Sequence, residues 1–194
     1  FENIKNINVL GLGHNDNKVL LYNIIDLNLG NIFFLDKKNI NEIINSNTLI
    51  HDYEIFKRYP HSIDINVKRT KFLAKIKHDK NFFLIGSNGK LSSIKHEDKS
   101  NYLPFIFGKP EIDQFLKFKQ KIDDSKFNYK DINNLFFFPS DRWDIQLKND
   151  QLIKLSSKNI KKTLDLVSDF LLENDNNTIK IVDARIQNQI ILDD

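Results

Sequence analysis

The sequence holds no cysteine and no methionine, six glycines and a single tryptophan in 194 residues. The missing cysteine excludes disulfide staples, thiolate metal sites and a thiol nucleophile, and leaves the compartment open. With no methionine, the chain is expected to begin downstream of a natural start. No apolar run approaches the ~20 residues that a membrane span needs, and no signal-peptide pattern is visible. Internal repeats and low-complexity linkers are also missing. Nor does one sign of charge dominate: 29 basic residues stand against 26 acidic ones. They are interleaved, as in Lys117-Phe118-Lys119-Gln120-Lys121-Ile122-Asp123-Asp124. Nucleic-acid binding needs basic residues gathered on one face, so a solvated mixed-charge surface is the better reading.

What is present is 40% hydrophobic residues, 16 of them phenylalanine, with abundant Ile, Asn and Lys. That bias toward Asn, Lys and Ile reports an AT-rich genome and discounts the lysines as a signal about partners. The length suits one large or two small domains.

Ile4 to Leu12 reads as a strand ending in Gly11-Leu12-Gly13. His14 to Asn17 supply turn and cap chemistry for a helix through Leu27, with Gly30 as its C-cap. Asp36 caps a second helix carrying Ile40, Ile43 and Ile44. Strands follow over His51–Arg58 and Ser62–Ile76, the second alternating Ile63, Ile65 and Val67 with polar residues. The remainder is β-rich. A hairpin turns at Ser87-Asn88-Gly89-Lys90, and His96 to Asn101 forms a polar loop. A helix starts with Pro110 at its first position and buries Ile112, Phe115, Leu116 and Ile122. Leu135–Phe138 is a buried strand. Trp143, Ile145 and Leu147 alternate with Asp144, Gln146 and Lys148, turn at Asn149-Asp150, and return through Leu155. A helix over Lys158–Glu173 pairs Lys161 with Asp165. Strands over Ile179–Ile186 and Gln189–Leu192 close the chain.

No catalytic constellation emerges. His14, His51, His61, His78 and His96 are scattered singly, without the spacing that puts two ligands on one helix face. Gly11-Leu12-Gly13 lacks the third glycine and the βαβ context of a dinucleotide loop. Asp123 and Asp124 are adjacent and diverge. The chain reads as a non-enzyme, with no cofactor and no metal. Trp143 reads as core rather than as an exposed anchor. Arg142 and Arg185 are forks retained in a chain that prefers lysine. Each can serve an internal salt bridge, to Asp141 or Asp183, or a contact to a partner. The final run, Ile190-Ile191-Leu192, is short and apolar, and an edge strand there would be open to strand addition.

In order and spacing these pieces resemble the extracytoplasmic part of the FtsQ/DivIB cell-division family. Ile7-Asn8-Val9-Leu10-Gly11, Gly30-Asn31-Ile32-Phe33-Phe34-Leu35-Asp36 and Lys57-Arg58-Tyr59-Pro60 with Ile63–Arg69 are similar to that family's POTRA domain. Leu84–Lys90, Leu103-Pro104-Phe105-Ile106-Phe107-Gly108, Arg142–Leu147 and Val182-Asp183-Ala184-Arg185-Ile186 resemble its β domain. Three departures stand out: Thr70-Lys71 after the Lys68-Arg69 pair, Asn149-Asp150-Gln151 for an Asn-Gly turn, and Gln187-Asn188-Gln189 where a glycine is usual.

The resemblance implies an α+β chain: a β-α-α-β-β POTRA domain over 1–72, then a mostly antiparallel β domain over 73–194 with two packed helices. It implies a non-enzymatic divisome scaffold of the bacterial inner membrane at the septum. One N-terminal membrane helix is expected before Phe1, with this part in the periplasm. Its implied partners are the FtsB and FtsL coiled-coil pair, FtsB adding a strand to the last strand of the sheet. Carried over, the partner site is Arg185, Ile186, Asn188, Gln189, Ile190, Ile191 and Leu192, with Arg142 as a further charge partner. The alternative is a POTRA-type chaperone of outer-membrane protein assembly or secretion, binding client strands along a Ser62–Ile76 edge.

Overall fold

A computed structural model describes residues 3–94, 102–174 and 179–193. The loop read at His96 to Asn101 lies outside them. The chain divides into two compact units, Phe1–Lys71 with Gly86–Ser92, and Phe72–Ile85 with Ser93–Asp194.

In the first unit the elements are β1 (Asn6–Leu10), α1 (His14–Ile25), α2 (Lys38–Ser46), β2 (Ile50–Arg58) and β3 (Ser62–Arg69). The sheet order is β1-β3-β2, parallel between β1 and β3 and antiparallel between β2 and β3. A core of aliphatic side chains fills the space beneath the helices: Leu20 and Ile24 from α1, Ile40 and Ile44 from α2, and Ile63, Ile65 and Val67 from β3. The period-2 alternation along β3 sends these last three to one face. β3 is the central strand, so the Ser62–Ile76 edge invoked for a client-binding chaperone is flanked on both sides over Ser62–Arg69.

Several local readings are corrected. The first helix ends at Ile25, and Asn28 rather than Gly30 takes the left-handed conformation after it, at φ 49°. Gly11 is needed for close approach: it sits at φ 113°, and a Cβ there would fall 1.7 Å from the Val67 carbonyl oxygen. The strand expected to run unbroken to Ile76 is interrupted at Thr70-Lys71. Thr70 is buried, donates its backbone N–H to the Leu49 carbonyl at 2.8 Å and bonds through its hydroxyl to Ser87 and Asn88. Asn88 in turn donates to the Thr48 and Ile50 carbonyls at 3.0 and 2.8 Å. These side-chain bonds supply what strand continuation would have supplied.

Beyond Lys71 the chain carries β4 (Phe72–His78), β5 (Asn81–Gly86), β6 (Leu91–Ser93), β7 (Phe105–Phe107), α3 (Ile112–Asp123), β8 (Ile132–Phe137), β9 (Trp143–Leu147), β10 (Leu152–Leu155), α4 (Ile160–Glu173), β11 (Ile181–Ala184) and β12 (Ile191–Asp193). The strands form a nine-stranded sheet in the order β12-β11-β10-β9-β8-β7-β4-β5-β6. It is mostly antiparallel, with parallel joints at β10/β11, β7/β8 and β4/β7. Glu111 and Gln114 close a capping box on α3, which leaves Pro110 one position before the cap instead of at the first helical residue. The buried face of α3 is Phe115, Phe118 and Ile122; Phe118 takes the place expected of Leu116. Phe118 stacks on Trp143 with ring centroids 4.6 Å apart and planes 5° apart, so the tryptophan is core.

Candidate functional site

Strand β12 is an edge. It pairs antiparallel with β11, Ile181 to Asp193, Val182 to Leu192 and Asp183 to Ile191, and no strand lies on its other side among the described residues. Ile191 and Leu192 are 51% and 44% exposed. The strand starts two residues later than the sequence suggested, so Gln189 and Ile190 belong to the connection. In that connection Asn188 takes a left-handed conformation at φ 59°, and the Gln189 N–H donates to the Ile186 carbonyl at 3.2 Å. Asn tolerates this region better than other side chains, which lets the turn form without the usual glycine. Arg185, Ile186, Asn188 and Gln189 are all exposed, and Ile190 is half-buried.

Strand register lays one row of side chains across the helix-free face: Phe107, Phe136, Asp144, Lys154, Asp183 and Ile191. The row reaches the open edge through alternating charges. Arg185 grips Asp183, Nε donating at 2.9 and 3.0 Å and Nη2 at 2.5 Å, while its Nη1 has no acceptor among the described residues. Arg142 lies near Asp144, with Nη2 donating at 3.4 Å, and its guanidinium stands 4.1 Å from the Phe138 ring centroid. Its Nε is buried 3.3 Å from Asp144 Oδ1, outside hydrogen-bond geometry. Both arginines therefore have internal carboxylate partners, with Asp144 rather than Asp141 serving Arg142.

Asp144 is the residue that alternation misassigned. The pattern puts it on the solvated side, yet it is 3% exposed and accepts from the Leu155 N–H at 3.3 Å. Burial pushes its carboxyl above the ordinary value, opposed by the Arg142 charge. Asp183 moves the other way, held down chiefly by its hydrogen bonds from Arg185. The two carboxylates contribute to stability with opposite sign. Asp183, depressed in the folded state, stabilises above its ordinary value of 3.8, and that contribution is lost as pH falls through the folded value. Asp144, raised, favours the folded state as pH falls, because the folded chain takes up its proton first. The stability difference between the wild type and Arg185→Ala should thus be present at about pH 7 and close by about pH 2 in urea melts. A difference undiminished in acid would remove the ion pair as its cause.

Among the described residues no group of His, Asp and Glu converges in a way that could hold a metal ion. No helix among them is long and apolar enough to cross a membrane.

Two family models match the chain along its length. The model of the C-terminal part of cell division protein FtsQ/DivIB matches residues 74–185, and that of the FtsQ-type POTRA domain matches residues 2–68. The chain belongs to the FtsQ/DivIB cell-division family. The α+β architecture, a POTRA part ahead of a mostly antiparallel sheet, is the one the resemblance implied. The chain is similar to cell division protein DivIB of Clostridium botulinum (strain Loch Maree / Type A3), 36% identical over 95 residues, which is 47% of this chain and 37% of that protein. It is also similar to DivIB of Clostridium tetani (strain Massachusetts / E88), 27% identical over 161 residues, 75% of this chain and 61% of that protein. The chain thus spans between 37% and 61% of the length of these two relatives. A solved structure of the major extracytoplasmic domain of the trans isomer of DivIB from Geobacillus stearothermophilus aligns at TM-score 0.40 and 14% identity, over 56% of this chain and 96% of that one.

Proposed function

We propose that this chain is the extracytoplasmic part of a non-enzymatic divisome scaffold, anchored in the bacterial inner membrane at the septum by one helix. It recruits FtsB and FtsL by accepting an FtsB strand on β12. The observation that carries this reading is the state of that edge, paired on one side and exposed at Ile191 and Leu192. An unpaired edge of this kind is a template for an incoming strand. Each edge hydrogen bond contributes about 1 kcal/mol net, so side chains beside the edge must supply the specificity. Arg185 is suited to that role: half of its guanidinium is engaged by Asp183, and the free Nη1 donors can take an acidic residue of the incoming segment. Arg142, tied to Asp144 and Phe138, is the lesser contributor. Ile186 and Asn188 to Ile190 form the shoulder against which the segment lies.

The test is a titration of the chain with the C-terminal segment of FtsB, followed by backbone amide shifts. Shifts centred on Ile191 to Asp193 are expected, and no binding up to about 1 mM peptide overturns the proposal. The chaperone alternative requires a free strand along Ser62–Ile76, and β3 runs between β1 and β2.

A further inference from the structure

Away from β12, the helix-free face of the large sheet carries a ladder of four phenylalanines. Phe82 of β5 meets Phe105 of β7 with centroids 6.0 Å apart, Phe105 meets Phe107 at 4.8 Å, and Phe107 stacks on Phe136 of β8 at 5.1 Å with planes 11° apart. Phe82 and Phe107 are 52% and 45% exposed, and Phe105 and Phe136 are half-buried. A solvated sheet face normally carries polar residues at such positions. β4 runs between β7 and β5, with Lys75 opposite Phe105. The Lys77 ammonium stands 5.9 Å from the Phe82 centroid. Strands β4, β5, β7 and β8 contain no Asp and no Glu. Neither Lys75 nor Lys77 forms an ion pair with a described residue.

We propose that this ladder is a docking surface for an acidic amphipathic helix of a partner protein. Charge selects the occupant: the patch offers aromatic faces and two cations with no anion among its strands, and its complement is an apolar stripe flanked by Glu or Asp. A second copy of the chain would set Lys75 and Lys77 against their own images, and like charges across an interface are costly. Size agrees with a helix. From β8 to β5 there are three strand spacings of about 4.8 Å, so the ladder is ~14 Å long, the length of about nine or ten helical residues. Rings packed on one another across a sheet make a platform rather than a wedge, which suits a helix lying flat better than insertion into lipid. The surface is separate from the β12 edge and does not depend on strand addition there.

The experiment titrates the chain with a Leu/Glu amphipathic peptide of about 14 residues and with its Leu/Lys twin, reading phenylalanine resonances. The acidic peptide should shift Phe82, Phe105, Phe107 and Phe136, and bind at least about tenfold more tightly than its twin. Phe82→Ser with Phe107→Ser should cost at least about tenfold, since both rings are half-exposed and their loss leaves the core intact. Lys75→Glu with Lys77→Glu should invert the preference between the peptides, and Ile191→Pro should leave it unchanged. The proposal is overturned if the ladder resonances do not move or if the two peptides bind equally. Ladder-dependent capture on phosphatidylglycerol/phosphatidylcholine vesicles without peptide binding would assign the face to a membrane and overturn it. Ladder-dependent dimers in sedimentation would assign the face to self-association and overturn it as well.

Discussion

Replacing Ile191 with proline is expected to weaken binding of the C-terminal FtsB segment by about 100-fold. β12 has only three residues, and Ile191 is its first, registered against Asp183. Proline removes a backbone donor there and fixes φ away from the extended range that the pairing uses. Losing two or three edge hydrogen bonds at about 1 kcal/mol each corresponds to a factor of about 30 to 150 in affinity. Because β12 is the terminal strand and its three residues are exposed, the rest of the sheet keeps its core, and a thermal melt should show little change. Ile191→Thr retains the donor and the β preference, so it separates backbone pairing from side-chain packing: a small loss with Thr and a large one with Pro is the signature of strand addition. Arg185→Ala should lie between them, with an effect that shrinks at high salt as a charge contact requires. Equal affinity for the wild type and Ile191→Pro, with the melt unchanged, would sink the strand-addition mechanism while leaving the chain's place in the cell-division family untouched.

How much of this was legible in the sequence depended on whether a residue's environment is set by its neighbours in the chain. The β9–turn–β10 hairpin was readable because alternation and an Asn-Asp turn are local signals, and Asp150 does take the left-handed conformation there, at φ 67°. Trp143 was readable as core from the same alternation. The break at Thr70-Lys71 was not, since what holds it is Asn88, eighteen residues away, bonding to Thr70 and to two carbonyls of the chain near Ile50. Asp144 was misread for a related reason. Period-2 alternation sends it outward, but Arg142 and the Leu155 N–H from the next strand enclose it. The candidate edge was visible as an apolar run, while its start was not: the left-handed Asn188 extends the connection through Ile190, and no pattern in Gln187-Asn188-Gln189 announces it. The charged row linking Asp144, Lys154 and Asp183 needs strand register, which a single sequence does not carry.

The largest stability effect is expected from Trp143→Ala, a loss of about 3–5 kcal/mol. The ring is 3% exposed and is enclosed by Phe118 stacked at 4.6 Å, Phe137 at 4.8 Å and Phe115 at 6.4 Å between centroids. It joins α3 to the centre of the sheet, because β9 lies between β8 and β10 and Phe118 belongs to α3. Truncation removes the apolar transfer of the largest side chain and leaves a void, and the aromatic stacking of about 0.5–1.5 kcal/mol goes with it. The flanking rings cannot collapse far, since Phe115 and Phe118 are fixed one turn apart on one helix face. For a domain stable by about 5–15 kcal/mol, such a loss brings the second unit close to unfolding at physiological temperature. Trp143→Phe keeps one ring in the stack and should cost clearly less. Far-UV circular dichroism in a urea series measures both variants, and methyl resonances of Ile145 and Ile153 report the second unit separately from Ile63 and Ile65 in the first. A cost under about 1 kcal/mol for the alanine variant would mean that the ring is not the packing centre of the sheet. A full cost that leaves the Ile63 and Ile65 resonances native would fix Trp143 as the keystone of the second unit alone. The POTRA part would then remain as a folded control in the same sample.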